Sequence, residues 1–388
     1  MTKTIWQQSG FTQIFFFRIF RGIAAGALVV TFPYFIVGFF AHGELFLGIC
    51  YAVGTIVSAV AGLLFGAWFD KRPTKMLMLA VISLLGLGLL VLALFPHDLW
   101  LVLLASALAG VSATGSMTGG GSGGVAAPIQ GALVAHLISD EHRTEAYSFL
   151  TFIAGVAAAA GVAISGVMSM SHLFWIGVLA AFLSLIPIAL LPEKAFTHVP
   201  VPFEAESKKA LKNFSVTGLL NGLSQGMALP FLVPLFMIMY GTARGPMSFY
   251  SSFAGIIGSF ALLAAPLLER HFGFVTSMIL SRGASIVALL VIVFIHSFPV
   301  AIFLFLVFPA LRIVAMPIQQ RAITDLAGEG STGTVLGANQ GARLLSAAGG
   351  SALAGCLFDR ALIALPFYGY AIIAASNLVL YKKFFGKR

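Results

Sequence analysis

The sequence predicts an all-α membrane protein of twelve transmembrane helices, six and six, with both termini on the cytoplasmic side. Three observations carry this reading. The chain of 388 residues is 59% apolar and only 9% charged, with a mean hydropathy of +1.01. Soluble domains carry about 25% charged residues, so this chain cannot cover a water-facing surface. That excludes soluble enzymes, nucleic-acid binders and disordered chains. The apolar residues also fall into runs of membrane-spanning length, and the basic residues between the runs collect on alternate sides.

A helix crosses the ~30 Å hydrocarbon layer in about 20 residues. The runs cover residues 13–40, 45–69, 76–95, 99–138, 146–168, 172–191, 214–240, 247–268, 274–295, 300–324, 335–357 and 361–381. The first is too long for a signal-peptide core, holds Arg18 and Arg21, and lacks a small-residue cleavage site, so it reads as a retained span. Short polar breaks such as His42-Gly43-Glu44 and Pro96-His97-Asp98 separate the runs. The fourth run is about twice the needed length and contains Gly115-Ser116-Met117-Thr118 followed by Gly119-Gly120-Gly121-Ser122-Gly123-Gly124. Glycine costs about 1 kcal/mol per helical position relative to Ala. We read this run as one span with a broken or re-entrant middle, restarting near Val125 with Pro128 in its first turn. The longest break divides the chain into residues 1–191 and 214–388, joined by a cytoplasmic linker, 192–213.

Orientation follows from the positive charges. With both termini inside, only Arg244 and Arg360 fall outside; Lys3, Lys71, Arg72, Lys75, Arg143, the linker lysines and Lys382, Lys383, Lys387 and Arg388 all fall inside. The formal charge of +9 then reflects basic loops facing anionic lipid, with no nucleic-acid partner.

The two halves repeat weakly at an offset near 200 residues. Gly22 and Gly26 correspond to Gly222 and Gly226, and Trp68-Phe69-Asp70-Lys71 to Leu267-Leu268-Glu269-Arg270. Parallel six-span repeats mark one transporter architecture. The stretch Gly66-Ala67-Trp68-Phe69-Asp70-Lys71-Arg72-Pro73-Thr74-Lys75 resembles the G-x-x-x-D-[RK]-x-G-[RK]-[RK] loop of the major facilitator superfamily, matching at Gly66, Asp70, Lys71 and Lys75. Pro128 before Asp140–Thr144, and Pro317 before Arg321 and Asp325, are similar to the family's exits of spans 4 and 10. The resemblance covers nearly the whole chain. It implies two six-helix bundles rocking about a central cavity lined mainly by spans 1, 4, 7 and 10. It also implies a gating loop of Gly66, Asp70, Lys71 and Lys75, with Glu269 and Arg270 as its second copy. A carboxylate at such a turn caps a helix N-terminus or pairs with a base across the bundle interface.

The candidate site residues are the polar ones inside spans. No carboxylate lies deep in a span, and His136 is the deepest histidine, which argues against a simple buried-carboxylate proton relay. Arg18, Arg21, Arg282, Arg312 and Arg343 all lie within spans, where an arginine at a helix centre costs about 2.5–3.5 kcal/mol. Arg312 is the deepest. Arg282, on an outer span by family analogy, reads as a lipid-headgroup contact. Asn221 and Gln225 are i, i+4, as are Asn339 and Arg343; Arg312, Gln319 and Gln320 share a face, with kinks expected at Pro309 and Pro317. One reading is interhelical hydrogen bonding that only holds the bundle together. The other is a substrate site of Arg312, Arg18, Arg21, Asn221, Gln225, Gln319 and Arg343, favouring an anionic or strongly polar solute.

Cys50 and Cys356 sit in apolar runs and no Cys/His cluster has metal-ligand spacing, so neither a metal nor a cofactor is expected. With no catalytic set in view, the chain reads as a secondary active transporter of a small organic solute, an efflux or exchange permease of the plasma or inner membrane. It is expected to be a monomer in contact with lipid. Drug–proton antiport, with an amphiphilic solute, a coupling proton and 36 phenylalanines for a hydrophobic cavity, competes with organic-anion transport. A sensor, a lipid flippase and a membrane enzyme are the remote alternatives.

Overall fold

The structure, a computed structural model, describes residues 6, 10–71, 75–111, 140–191, 207–316, 319 and 332–385. All regular structure among the described residues is helical. In the first half lie α1 (Phe11–Phe39), α2 (Gly43–Lys71), α3 (Lys75–Leu94), α4 (Leu99–Ala109), α5 (Asp140–Val167), α6 (Met170–Leu183) and the short α7 (Leu185–Ala189). The second half holds α8 (Ser207–Ala228), α9 (Leu232–Tyr240), α10 (Arg244–Ala261), α11 (Ala265–Phe294), α12 (Phe298–Ile313), α13 (Thr332–Asp359) and α14 (Leu365–Phe385). Among the described residues, nine helical stretches are long and apolar enough to cross a membrane, and α4 and α12 are shorter apolar helices. The glycine-rich stretch 115–124, with Pro128 and His136, lies outside the described residues.

Local chemistry sets the helix ends. Asp98 caps α4 by accepting from the Leu101 N–H at 2.9 Å, and Gly110, at φ 63, ends it. Gly273, at φ 74, breaks α11 where the sequence places a loop between two apolar runs. Helix α8 begins at Ser207, inside the expected linker, because Lys208-Lys209-Ala210-Leu211-Lys212 are good helix formers. Pro33 and Pro309 lie inside α1 and α12, and a 3-10 turn at Leu229–Phe231 carries Pro230 between α8 and α9. Helix α12 stops at Ile313; Pro317, which has no N–H to give the Ile313 carbonyl, is outside the described residues.

The two halves are built on the same contact. Helix α1 packs on α5, and α8 on α13. A Cβ at Gly22 or Gly26 would run into the carbonyl oxygens of Ala154 and Ala158; at Gly222 or Gly226 it would run into those of Arg343 and Ala347. In return Gly161 faces the Ile23 carbonyl and Gly350 the Leu223 carbonyl. One offset of 200 residues relates α1 to α8, and one of 189 relates α5 to α13.

Each half meets the other along two seams, α2 against α13 and α5 against α10. Small residues again permit the approach: a Cβ at Gly48 would lie 2.6 Å from the Ser351 carbonyl oxygen, and Gly355 faces the Gly48 Cα. Away from the seams, large apolar side chains such as Leu64, Trp100, Leu179, Phe303, Ile372 and Val379 are exposed. That is the outward face a lipid-embedded protein presents.

Candidate functional site

A cavity of about 90 Å³ lies within the second half, walled by α8, α11, α12, α13 and α14. Helical spacing delivers its lining. Asn221, Ser224 and Gln225 (i, i+3, i+4) come from α8, and Arg282 and Ser285 from α11. Arg312 comes from α12, with Met316 and Gln319 beyond its end. Asn339, Gln340 and Arg343 come from α13, and Tyr370, Ala374 and Asn377 from α14.

The polar groups are held in place individually. Gln225 Nε2 donates to Asn221 Oδ1 at 2.7 Å. Asn339 Nδ2 donates to the Phe214 carbonyl at 2.5 Å, and Asn377 Nδ2 to the Thr217 carbonyl at 3.2 Å. Arg343 Nη2 donates to Gln340 Oε1 at 2.5 Å. Arg282 Nη2 donates to Gln319 Oε1 at 2.7 Å, with its guanidinium 5.2 Å from the Tyr381 ring centroid. Arg312 is 7% exposed and has no hydrogen-bond or ion-pair partner among the described residues. It sits in the last turn of α12, about 21 Å along the axis from Phe298, where the partial negative charge of the helix C-terminus favours it. Three guanidinium groups thus line one space, and no carboxylate is among the lining residues.

The structure brings Arg312, Asn221, Gln225, Gln319 and Arg343 of the expected set to this cavity. Arg18 and Arg21 are buried on α1 and are not among its lining residues. By the offset of 200, Arg21 occupies in the first half the place of Asn221 in the second. The headgroup reading of Arg282 is corrected: the side chain turns inward, because the Gln319 amide and the Tyr381 ring offer its charge partners that hydrocarbon does not. Tyr370, Asn377, Ser224 and Ser285 were not anticipated. The available signal was Asn377, an amide isolated in an otherwise apolar stretch of α14.

Of the gating loop, the Lys75 Nζ donates to the Ala189 carbonyl at 3.0 Å, tying the start of α3 to α7. The side chains of Gly66, Asp70 and Lys71 lie outside the described residues. Glu269 and Arg270 sit on α11 just before the break at Gly273, Glu269 half-buried and Arg270 exposed.

The opposite end of the helices carries polar contacts between the halves. Tyr34 Oη donates to the Thr242 carbonyl, and His42 Nδ1 lies 2.9 Å from Asp359 Oδ1. Arg244 Nη2 donates to the Met168 carbonyl at 2.5 Å. Ser165 and Ser248 share a hydrogen bond of 2.9 Å, and deeper in the seam Ser252 Oγ donates to the Ala159 carbonyl at 2.8 Å.

Comparison with known proteins accords with this architecture. The sequence model of the Major Facilitator Superfamily matches residues 14–351. A search of curated protein sequences gave no match. Among solved structures, the fold is similar to that of the human organic anion transporter MFSD10 (TETRAN), at 16% identity and a TM-score of 0.68, covering 96% of this chain and 98% of that one. It is also similar to a D-xylose–proton symporter, at 14% identity and a TM-score of 0.72, covering 97% and 96%. The nucleoside transporter NupG compares at 13% identity and a TM-score of 0.68, covering 97% and 98%. At these identities the likeness is one of fold, while the family match spans most of the sequence. A multi-pass helical membrane protein and a transporter, not an enzyme, the chain belongs to the major facilitator superfamily.

Proposed function

We propose that this transporter moves a small organic anion by alternating access, as an efflux or exchange permease of the plasma or inner membrane. The observation that carries the reading is a cavity lined by Arg282, Arg312 and Arg343 with amides and no carboxylate. A site of that composition attracts negative charge, and guanidinium groups bind carboxylates and phosphates through paired hydrogen bonds. Arg312 is the primary anchor, with Asn221, Gln225, Gln319 and Arg343 around it. Arg18 and Arg21 contribute positive charge on the first-half side of the path. Twelve spans, cytoplasmic termini and two bundles, 1–191 and 214–388 joined by 192–213, complete the arrangement, and the monomer is the working unit. The loop of Gly66, Asp70, Lys71 and Lys75, with its counterpart Glu269 and Arg270, closes the cytoplasmic side when the halves rock. Polar contacts between the halves at the other end support a state closed there. Drug–proton antiport has no comparable support, since the lining offers guanidiniums, amides and hydroxyls where an amphiphile needs an apolar wall.

The test is counterflow in proteoliposomes. Vesicles loaded with a small organic anion should accumulate the labelled anion from outside, and the Arg312→Ala protein should not. Equal counterflow of neutral and cationic solutes, with none for anions, would overturn the reading.

A further inference from the structure

The cavity is not only positive. Asn377 is 2% exposed, and its amide orientation is fixed because Nδ2 donates to the Thr217 carbonyl, which accepts only from nitrogen. Its Oδ1 is therefore an acceptor, and it is buried without a partner among the described residues. Gln225 Nε2 is given to Asn221 Oδ1, and its Oε1 is buried without a partner among the described residues; that bond joins two side-chain amides and survives a flip of both, so Asn377 alone fixes an acceptor. Unpaired buried acceptors are costly, and both residues line the cavity that Arg312 enters without a partner. A purely acceptor-type anion such as chloride or acetate would satisfy the arginine and leave the Asn377 oxygen unpaired.

Size restricts the ligand further. At about 90 Å³ the space is smaller than the roughly 150 Å³ cavity known to take benzene. The space is open on one side, so its volume restricts the part of the solute seated between the arginines and amides to a compact group.

From these observations we infer that the second-half cavity binds a small oxyanion that also carries hydroxyl donors. Its charged oxygens face Arg312 and Arg343, and an O–H is given to the oxygen of Asn377. Hydroxycarboxylates and protonated phosphate share this chemistry. The inference rests on the reading of this cavity as the solute site, and it narrows the class of anion from any small anion to a protic one. The pairing also explains why a site with three guanidiniums needs amides: the arginines take the charge and the amides select for the hydroxyl. Where a site is built to hydrogen-bond a hydroxyl, an analogue lacking it leaves buried groups unpaired and is rejected.

The experiment is isothermal titration of the full-length protein in nanodiscs with glycolate, acetate, inorganic phosphate and ethylene glycol. Glycolate should bind about tenfold or more tightly than acetate, and ethylene glycol should not bind. Arg312→Ala should remove glycolate and acetate binding alike. Asn377→Leu should lower glycolate to the acetate affinity while acetate is unchanged. If that variant does not fold, Asn377→Ala supplies the same measurement. Phosphate binding more tightly than glycolate, with the same loss in Asn377→Leu, would identify the protic oxyanion as phosphate. Equal binding of glycolate and acetate, or glycolate binding that survives Arg312→Ala, would overturn the inference. Labelled-glycolate or labelled-phosphate counterflow is scored separately. Binding without counterflow would count against the transport reading and leave this one standing. Counterflow indifferent to Arg312 would do the reverse.

Discussion

Arg312 concentrates the chemistry of the site in one side chain. It is buried, in the last turn of α12, with no partner among the described residues. Removing such a charge relieves its desolvation cost, so Arg312→Ala should fold at least as stably as the parent and lose at least about tenfold in anion affinity. Arg312→Lys should fall between, since an ammonium lacks the two-pronged geometry of a guanidinium. Thermal unfolding and anion titration of both variants check this; an unfolded Arg312→Ala would mark the residue as structural. How far this site was legible follows from the helices that carry it. Asn221 and Gln225, or Asn339 and Arg343, could be paired from spacing because each pair lies within one helix. For Arg282 the local signal was the stripe Ser277, Ser281 and Ser285 at i, i+4, i+8, which turns inward and carries Ser285 to the cavity beside it; the sequence reading follows the outer place of the span instead. The Arg282 partner Gln319 arrives from a different helix pair, and such tertiary proximity leaves no trace in local sequence.

At the scale of elements, the close contacts of α1 with α5 and of α8 with α13 depend on glycines that admit a neighbouring backbone. Gly226→Ala should destabilise the protein by about 1–3 kcal/mol, the usual cost of overpacking, because the new methyl would fall on the Ala347 carbonyl. Gly349→Ala, on the exposed face of α13 with nothing near its missing Cβ, should be neutral or stabilising by up to about 1 kcal/mol through helix propensity. Comparative thermal unfolding in one detergent distinguishes the two. The first half of this repeat was readable, since Gly22 and Gly26 recur as Gly222 and Gly226. The matching repeat of α5 in α13 was not, because its offset of 189 residues differs and its members change type, Ala154 answering to Arg343. The offset stays near 200 up to Leu99 and Phe298 and changes only beyond them, which no single offset detects.

For the whole molecule, the contacts between the halves determine which side is shut. His42 and Asp359 meet across the seam at one end. With Cys50 and Cys356 replaced by serine, the double variant His42→Cys, Asp359→Cys should cross-link on oxidation. Counterflow should then stop, and reduction should restore it. Full counterflow in the cross-linked protein would show that this end does not need to open. At the other end, Asp70→Asn should reduce turnover severalfold at near-normal expression if, as proposed, that charge holds the cytoplasmic side closed; uptake rates normalised to protein amount measure it. The apolar runs made a multi-pass helical membrane protein legible from composition alone, and nine helical stretches among the described residues are long and apolar enough to span. The partition of contacts between the two ends was not legible, because they join residues such as Tyr34 and Thr242, or His42 and Asp359, that are far apart in the sequence.

The uncompensated guanidiniums of the second half also make the empty carrier sensitive to membrane voltage. A unit charge crossing the full field is worth about 2.3 kcal/mol per 100 mV, and an unoccupied site bearing positive charge is drawn toward the negative interior. A monoanion seated against Arg312 and Arg343 offsets one of the three charges, so the loaded site crosses with less electrical work than the empty one. An interior-negative potential therefore slows the outward return of the vacant site. On the proposed reading one-for-one exchange is slowed less than net transport, because the loaded site carries less charge through the field.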